Sequence, residues 1–368
     1  MIEPFLILAT RSCVGYAKKV VNAIRRNPER LLLPDGFDYT EELSVLQFAD
    51  GEMEVVLHNS VRGKTVFLFT TCARNEAGLS VESCKQELYH TIDVLQRSQA
   101  KEIIVFEPFI SCSRSDRTTR RNSVGLWIHY KTLISLGADH LITYQLHSDK
   151  SKTIFDPCLC AVDDVPAISL LQRYLCEHVF MSTEKMNTFY RDSLLFCSVD
   201  AGGEKLAKGF ASAFGTQLMV AHKQRSLEKA NTVECINLLS AVPLKDKIIW
   251  IIDDMIDTGG SIYGLIQELS ARECAEINVM IVHPVLSEPA AARLQELKDK
   301  GMIHRFVACD TIDCPATKRE LPFMEVIEST TLSAHIVLTI SLDRQMAPLI
   351  DGFSPLEYLE RNGPFQES

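Results

Sequence analysis

The residues with the clearest chemical potential lie in one short segment, where an apolar run ends in two acids, Asp253 and Asp254. A third acid and a polar, glycine-rich turn follow: Asp257, Thr258, Gly259, Gly260 and Ser261. Glycines let backbone amides approach an anion closely, and a helix that begins here adds a partial positive charge. Acids beside a phosphate repel it unless they bind sugar hydroxyls or a magnesium ion. A ribose phosphate carries a phosphate for the glycine-rich turn and hydroxyls for the acids, so it fits every part of the segment.

The alternative for this segment is an acidic strand end followed by an ordinary glycine-rich turn. A lone pair of acids or of glycines would favour that alternative. The complete order, acids then threonine then glycines at a strand-to-helix connection, favours a ligand site. We expect Ser261 to cap the helix that follows.

The elements that must position this site are short buried strands alternating with helices. The strand-length apolar runs are Val66–Thr70, Glu102–Phe106, Leu141–Tyr144, Leu194–Val199, Ile248–Ile252 and Ile277–Val282. Between them, apolar residues repeat with helical spacing, as at Leu88, Ile92 and Leu95 and again at Ile262, Leu265, Ile266 and Leu269. This alternation predicts an α/β fold with a mainly parallel sheet flanked by helices, and ligands at the carboxyl ends of the strands.

The strand-helix pattern occurs twice, with a polar interruption near Asp163–Leu171. We expect two similar domains, residues 1–165 and residues 166–324. The C-terminal segment, about 325–368, is expected to pack back on the first domain.

Composition excludes several classes of protein. The 368 residues carry a formal net charge of −10, which argues against a general nucleic-acid or membrane-surface binder. The twelve cysteines lack the paired spacing of a zinc site, and no apolar secretory segment follows Met1. Apolar runs are too short and too interrupted to span a membrane. We therefore expect reduced thiols and a cytoplasmic location.

Several segments together resemble one family, the ribose-phosphate pyrophosphokinases. The acidic loop is similar to that family's phosphoribosyl-diphosphate binding loop. The other matching segments are Phe48–Glu52, Ser60–Gly63, Gly137–Thr143, Leu146–His147, Asp200–Gly203, His222–Arg225, His283–Pro284 and Cys309–Ile312. The binding loop alone fits phosphoribosyltransferases equally well, and the remaining segments favour the pyrophosphokinases.

The resemblance implies transfer of the diphosphoryl group of ATP to the 1-hydroxyl of ribose 5-phosphate, which gives phosphoribosyl diphosphate and AMP for nucleotide biosynthesis. It assigns ribose 5-phosphate to the acidic loop, Asp253 to Ser261. It assigns ATP to Arg114, Ser115 and Asp116, and to Asp50 and Glu52 reaching from a neighbouring subunit. The resemblance thus also implies a homo-oligomer, with a dimer as the smallest active unit and hexamers common.

The resemblance further implies the catalytic and metal residues. Lys223 and Arg225 match a Lys-x-Arg motif that stabilises the transferring group, and they open a polar stretch suited to a mobile lid. His147 and Asp200 would lie around Mg²⁺, bound directly or through water. Without the resemblance, the lid would be a solvated loop, His147 an ordinary histidine and Asp200 a helix cap.

Departures from the family pattern lie mainly in the first half. Gln145 stands where the family usually has Asp, Ser115 where it has Gln, and the segment Asn122–His129 is unlike its usual counterpart. A non-catalytic subunit that associates with active synthetases is therefore the alternative hypothesis. A phosphoribosyltransferase ranks well behind, since it lacks the duplicated architecture and the ATP-type loop. Regulation by phosphate or ADP, nucleotide preference and oligomer size stay open.

Overall fold

The structure is a computed structural model that describes residues 5–33, 38–39, 43–200, 202–225, 233–350 and 353–362. The chain forms two compact units. Unit 1 consists of the described parts of residues 1–166, 311–314 and 328–351, and unit 2 of the described parts of residues 167–310, 315–327 and 352–368. The first passage between the units falls between Pro166 and Ala167, inside the polar interruption of the sequence.

Fifteen strands and twelve helices are defined within these ranges. The strands are β1 Phe5–Ala9, β2 Asp38–Tyr39, β3 Leu43–Gln47, β4 Met53–Leu57, β5 Thr65–Phe69, β6 Glu102–Phe106, β7 His140–Tyr144, β8 Ala161–Val165, β9 Leu194–Ser198, β10 Gln217–Arg225, β11 Val233–Ser240, β12 Ile248–Ile256, β13 Glu276–Pro284, β14 Arg305–Cys309 and β15 Met324–Ile327. The α-helices are α1 Val14–Arg26, α2 Val81–Arg97, α3 Gly125–Leu136, α4 Ile168–Leu175, α5 Thr183–Lys185, α6 Glu204–Phe214, α7 Gly260–Ser270, α8 Ala290–Asp299, α9 Pro315–Glu320, α10 Thr330–Ser341, α11 Ala347–Ile350 and α12 Pro355–Asn362.

Unit 1 is built on a six-stranded parallel sheet in the order β2-β1-β5-β6-β7-β8. The apolar stripe of α2, Leu88, Ile92 and Leu95, is fully buried against one face of this sheet. Burial of each such side chain contributes about 1.5–3 kcal/mol. Helices α1 and α10 pack against each other in the same unit, and the Tyr16 hydroxyl lies 2.7 Å from Ser329 Oγ.

A separate two-stranded antiparallel hairpin, β3–β4, also belongs to unit 1. Helix α2 contacts β4, which ties the base of the hairpin to the domain. Its tip carries the exposed apolar residues Leu46 and Phe48.

Unit 2 contains a seven-stranded sheet in the order β11-β10-β9-β12-β13-β14-β15. All neighbours run parallel except β10 and β11, which are antiparallel. The predicted helical stripe of α7, from Ile262 to Leu269, is buried in this unit's core. The C-terminal segment is divided, because α10 packs in unit 1 whereas α12 contacts α6 in unit 2.

The predicted α/β fold with mainly parallel sheets is confirmed. All six predicted strands exist, although β12 and β13 run several residues longer than their apolar cores. The prediction that Ser261 caps α7 is wrong, since the helix begins at Gly260, before Ser261, and Gly259 occupies the cap position without a side-chain cap bond. Among the helices in the described ranges, none has the length and apolarity needed to cross a bilayer.

Candidate active site

The carboxyl edge of the unit 2 sheet gathers most of the predicted site residues of that unit. Val220, Ser198 and Ile252 lie side by side on β10, β9 and β12. Two residues beyond this row lie His222 on β10, Asp200 just after β9 and Asp254 on β12. Parallel strands have their carboxyl ends at the same edge of the sheet. The acids and the backbone of the motif around Lys223 therefore lie at one edge of this sheet.

The acids at this edge form an electrostatic cluster. Burial, followed by the neighbouring carboxylates of Asp254 and Asp200, raises the pKa of Asp253 well above its usual range. Asp253 Oδ1 accepts a hydrogen bond from the Asp254 amide at 3.0 Å, which fixes the side chain in place. A bound partner that supplies hydroxyl donors or a cation would relieve the repulsion between these carboxylates.

The loop after β12 turns sharply into α7. Gly259 has a φ of +73°, a left-handed conformation that L side chains rarely adopt, so a glycine is required at this position. The turn is braced from α8, because Arg293 Nη1 donates to the Thr258 carbonyl at 2.8 Å. Thr258 and Gly260 are exposed, whereas Asp257 and Ser261 are partly buried. The first amides of α7 thus face an accessible loop, as anion binding requires.

Asp200 lies between β9 and α6. Its Oδ1 accepts from the amides of Gly202 and Gly203, at 2.9 and 3.2 Å. A Cβ added at Gly203 would lie 3.6 Å from Asp253 Oδ1, so the Asp200 turn and the end of β12 are immediate neighbours. Asp200 therefore holds the turn before α6 and also belongs to the acid cluster.

The predicted catalytic pair lies near the end of β10, whose backbone pairs with β11 up to Arg225. The side chains of Lys223 and Arg225 lie outside the described residues, as do residues 226–232 of the predicted lid. Their assignment stays a prediction.

The predicted ATP loop of unit 1 is held by its own short side chains. Ser115 Oγ accepts from the amide of Gly125, the first residue of α3, at 2.9 Å. Asp116 Oδ2 accepts from the fully buried Ser151 hydroxyl at 3.0 Å. Arg114 is exposed. The loop is thereby fixed to the start of α3 on one side and to the segment after β7 on the other.

Asp50 and Glu52 lie at the tip of the β3–β4 hairpin, and both are exposed. Asp50 Oδ1 accepts from the Glu52 amide at 3.1 Å, and Gly51 between them has a φ of +97°. The tip is a tight turn that presents both carboxylates outward.

His147 is exposed and follows β7 in unit 1, two residues after Gln145, which has a φ of +43°. Asp164 Oδ1 accepts from the Leu146 amide at 2.9 Å and orients this turn. In the part of the chain that the structure describes, no group of three or more histidine, cysteine, aspartate or glutamate side chains is arranged to hold a metal ion.

A buried polar chain in unit 1, which includes His129 of α3, was not predicted from the sequence. Glu107 follows β6 with no exposed surface and lies 2.9 Å from His129 Nε2 on α3. The Tyr89 hydroxyl of α2 lies 3.0 Å from His129 Nδ1. Burial raises the pKa of Tyr89, so the phenol keeps its proton and can donate to Nδ1. The available signal in the sequence was Glu107 itself, an acid that directly follows the apolar strand β6.

Comparisons with known proteins agree with this geometry. Residues 5–137 match the family described as the N-terminal domain of ribose phosphate pyrophosphokinase, and residues 167–308 match the family described as uracil phosphoribosyltransferase. Ribose-phosphate pyrophosphokinase 1 of Streptococcus pneumoniae is 30% identical over 309 residues, which cover 84% of this chain and 88% of the relative. The protein of the same name from Streptococcus mutans is 29% identical, with the same coverage.

A solved structure is similar over nearly the whole chain. The crystal structure of phosphoribosylpyrophosphate synthetase from Mycobacterium smegmatis has a TM-score of 0.76 and 25% identity, covering 93% of this chain and 100% of that chain. With the duplicated parallel sheets and the acidic loop at a strand end, these similarities show that the chain belongs to the ribose-phosphate pyrophosphokinase family.

Proposed function

We propose that this chain is a ribose-phosphate diphosphokinase, which transfers the diphosphoryl group of ATP to the 1-hydroxyl of ribose 5-phosphate. The observation that carries the proposal is the acid cluster of Asp253, Asp254 and Asp200 beside the glycine loop that opens α7. Family membership indicates the class of reaction, and the acid cluster with its loop offers a binding site for a sugar phosphate.

Ribose 5-phosphate is proposed to bind through both halves of the loop. The phosphate takes hydrogen bonds from the amides that open α7 and is favoured by the helix dipole. The carboxylates of Asp253 and Asp254 accept hydrogen bonds from the ring hydroxyls. These hydroxyl donors also relieve the repulsion between neighbouring carboxylates that raises the pKa of Asp253.

ATP is proposed to bind in unit 1 at Arg114, Ser115 and Asp116, with Asp50 and Glu52 contributed by a neighbouring subunit. In the reaction a bond forms between the sugar 1-oxygen and the β-phosphorus of ATP. The bond from that phosphorus to the oxygen of AMP breaks, and AMP leaves with the electron pair, while the proton of the sugar 1-hydroxyl is released to water. Lys223 and Arg225 are proposed to stabilise the negative charge that develops on the oxygens of the transferred phosphoryl groups.

The residues present fit a magnesium ion only in part. Magnesium prefers oxygen ligands and is usually held by one or two carboxylates together with substrate phosphates. The Asp200 carboxylate meets this chemistry, and the His147 imidazole, a nitrogen donor, meets it through a metal-bound water. When bound with ATP, the ion would neutralise phosphate charge and orient the triphosphate.

A homo-oligomer is proposed for the active form, with a dimer as its smallest version, because the hairpin tip presents Asp50 and Glu52 outward. A cytoplasmic location is also proposed, since cysteines scattered without paired spacing suit a reducing compartment.

The deciding experiment measures AMP formation by the purified protein with ATP and magnesium, in the presence and absence of ribose 5-phosphate. Wild-type protein is expected to form AMP only with the sugar. Lys223→Ala is expected to lower turnover by about 10²–10³-fold while ATP binding persists, since a contact made in the transition state contributes little to ground-state binding. The control is Lys245→Ala, which removes an exposed lysine paired with Glu273 in the same unit.

Sugar-dependent AMP that is lost in Lys223→Ala and retained in Lys245→Ala would support the function together with the lid assignment. No AMP from folded protein that still binds ribose 5-phosphate would refute the activity and favour the non-catalytic associated subunit. Normal turnover in Lys223→Ala would refute the lid residue alone.

A further inference from the structure

A long loop connects β6 to α3 in unit 1. This β6–α3 loop, residues 107–124, carries the proposed ATP residues Arg114, Ser115 and Asp116. All of its residues are described, and it contains no helix or strand of its own. Loops of this length are uncommon in compact domains and are usually functional. The shape of the loop therefore depends on how its two ends are held.

The first end of the loop is fixed to the sheet. Glu107 has no exposed surface, and its amide donates to the Ile142 carbonyl of β7 at 2.9 Å. Its side chain lies on the face that α2 and α3 cover, as Val105 does two residues earlier. A buried carboxylate on this face needs hydrogen-bond donors from those helices.

His129 of α3, just past the other end of the loop, supplies a donor. The imidazole is 2% exposed, and Nε2 lies 2.9 Å from Glu107 Oε2. Because the Tyr89 hydroxyl donates to Nδ1, the ring proton is on Nε2 and points at the carboxylate. Both ring nitrogens are used, so the ring can turn only by breaking a buried hydrogen bond. One bond thus joins the two ends of the loop.

This bond adds a direction that apolar packing lacks. Leu126 and Leu133 hold α3 in the core of unit 1, but the hydrophobic effect is non-directional and sets no exact rotation or height for a helix. A hydrogen bond prefers a nearly linear geometry, and a buried group left without its partner is costly. The bond between Glu107 and His129 therefore ties the position of α3 to the end of β6.

The start of α3 passes this position on to the ATP residues. The Gly125 amide donates to Ser115 Oγ at 2.9 Å, and the Leu126 amide donates to the Ser115 carbonyl at 3.1 Å. A Cβ added at Gly125 would lie 3.3 Å from Ser115 Cβ, so the two segments are in close contact. A shift of α3 therefore moves Ser115, and with it Arg114 and Asp116 on either side.

We propose that Glu107 and His129 are positioning residues for ATP, which hold the β6–α3 loop in its binding shape without touching the nucleotide. The proposal rests on the proposed function in that ATP binds to this loop. It adds a buried pair, one member of which belongs to the segment Asn122–His129 that is unlike its usual counterpart. A loop ordered before its ligand arrives loses less entropy on binding. The pair is expected to act on ATP and not on ribose 5-phosphate, whose acidic loop lies in unit 2.

The first measurement is the Kd of ATP by equilibrium dialysis with magnesium and without ribose 5-phosphate, so it needs no turnover. Glu107→Met keeps the volume of the side chain and removes the acceptor, and it is expected to raise this Kd by about 10–100-fold. Glu107→Gln keeps both the volume and an acceptor oxygen, so its Kd should stay close to wild type. Both variants preserve packing, so their comparison stands even if the cavity left by Glu107→Ala prevents folding.

Tyr16→Phe is the matched control, because it removes a buried hydroxyl of the same unit that is bonded to Ser329 and Ser333. The Tyr16 ring contacts Phe69, which lies on the opposite face of the sheet from Leu68 and the core under α2 and α3. This variant is expected to destabilise unit 1 while the Kd of ATP stays unchanged.

A double variant tests whether the two residues act as one unit. His129→Leu removes the donor and is expected to raise the Kd of ATP about as much as Glu107→Met does. The two changes combined should raise the Kd no further than either alone, because both remove the same bond.

The loop also reports its own order. Trypsin cleaves after arginine, and Arg117, Arg120 and Arg121 are exposed on the loop. Without any nucleotide, cleavage at these residues is expected to be faster in Glu107→Met than in Glu107→Gln, since a loosened loop opens more often.

The outcomes separate this proposal from the proposed function. AMP formation by wild type together with an unchanged Kd for ATP in Glu107→Met would overturn the positioning role and leave the function standing. If Tyr16→Phe raises the Kd equally, or ribose 5-phosphate weakens as much as ATP, the pair acts on stability alone and the proposal fails. A selective loss of ATP affinity in a protein that forms no AMP would support the positioning role and refute the function. Wild-type protein that binds no ATP would overturn both.

Discussion

Asp253→Asn is expected to stabilise the protein at neutral pH while it weakens ribose 5-phosphate binding. Asparagine has nearly the same shape as aspartate, and its Oδ1 can still accept from the Asp254 amide. What it removes is a carboxyl group whose ionisation is opposed by burial and by two other carboxylates, the causes that raise the pKa of Asp253.

The size of the gain follows from the charges removed. Two like charges about 5 Å apart repel by about 1–3 kcal/mol at effective dielectric constants between about 80 and 20. For domains of about 150–250 residues, each kcal/mol shifts the melting temperature by roughly 2–4 °C. We therefore expect Asp253→Asn to raise the transition of unit 2 by about 2–12 °C at neutral pH.

The stability that Asp253→Asn gains over wild type also depends on pH, and the raised pKa fixes the direction of that dependence. Because the folded pKa of Asp253 is raised, the folded protein binds a proton that the unfolded chain lacks between the two pKa values. Wild-type stability from this group is complete below the unfolded pKa, about 3.9, and is lost as pH rises through the folded value. The asparagine variant does not titrate, so its advantage should be largest at high pH and disappear on acidification.

Thermal melts of wild type and variant across pH, each with and without ribose 5-phosphate, provide the measurement. Asp299→Asn is the matched control, since Asp299 is an exposed acid of unit 2 outside the cluster, and it should shift stability by less than about 0.5 kcal/mol. A lower melting temperature for Asp253→Asn at neutral pH, or an advantage that grows on acidification, would refute the repulsion on which the site rests.

Two further predictions concern residues that hold the two sites in place. Glu107→Ala leaves Nε2 of the buried His129 without its hydrogen-bond partner, while Tyr89 still contacts Nδ1, and is expected to lower the free energy of unfolding by about 1–3 kcal/mol in urea titrations. Glu107→Gln keeps a hydrogen-bonding group and should cost less; equal losses would mean that the bond is unimportant. Gly259→Ala forces a side chain into φ +73° and should cost about 1–3 kcal/mol and weaken ribose 5-phosphate binding. Gly260→Ala keeps an ordinary φ and meets only the guanidinium of Arg293, at 3.3 Å, so it should cost less. Calorimetric titration that finds Gly260→Ala the more damaging would contradict the assigned turn.

Apolar periodicity was sufficient to predict six of the strands, because strands buried on both faces are nearly continuous in apolar residues. Other strands of the same sheets, such as β1 and β14, were not predicted. Periodicity also missed the extension of β12 through the acids, from Asp253 to Ile256. Polar residues at a strand's carboxyl end interrupt the apolar run while the backbone ladder with β13 continues. The start of α7 was placed two residues late, because the cap position is occupied by Gly259 in a left-handed conformation and not by Ser261.

From the sequence, only the members of the acid cluster that are adjacent in the chain could be predicted to lie together. Asp253 and Asp254 are adjacent in sequence, but Asp200 joins them through the neighbouring strand β9. The brace from Arg293 also comes from a distant helix. Such contacts depend on how elements pack, which residue spacing along one chain does not encode.

Two departures from the family pattern in unit 1 are best understood as one structural change. Ser115 replaces a usual glutamine, and Gly125 lies in the segment Asn122–His129, which is unlike its usual counterpart. In the structure these positions touch, since Ser115 Oγ accepts from the Gly125 amide and a Cβ added at Gly125 would lie only 3.3 Å from Ser115 Oγ. A long side chain at position 115 would have to leave this contact, which opens α3. The short serine therefore accompanies the altered helix start that carries Trp127, and restoring glutamine alone should disrupt the loop more than it restores the family's nucleotide contact.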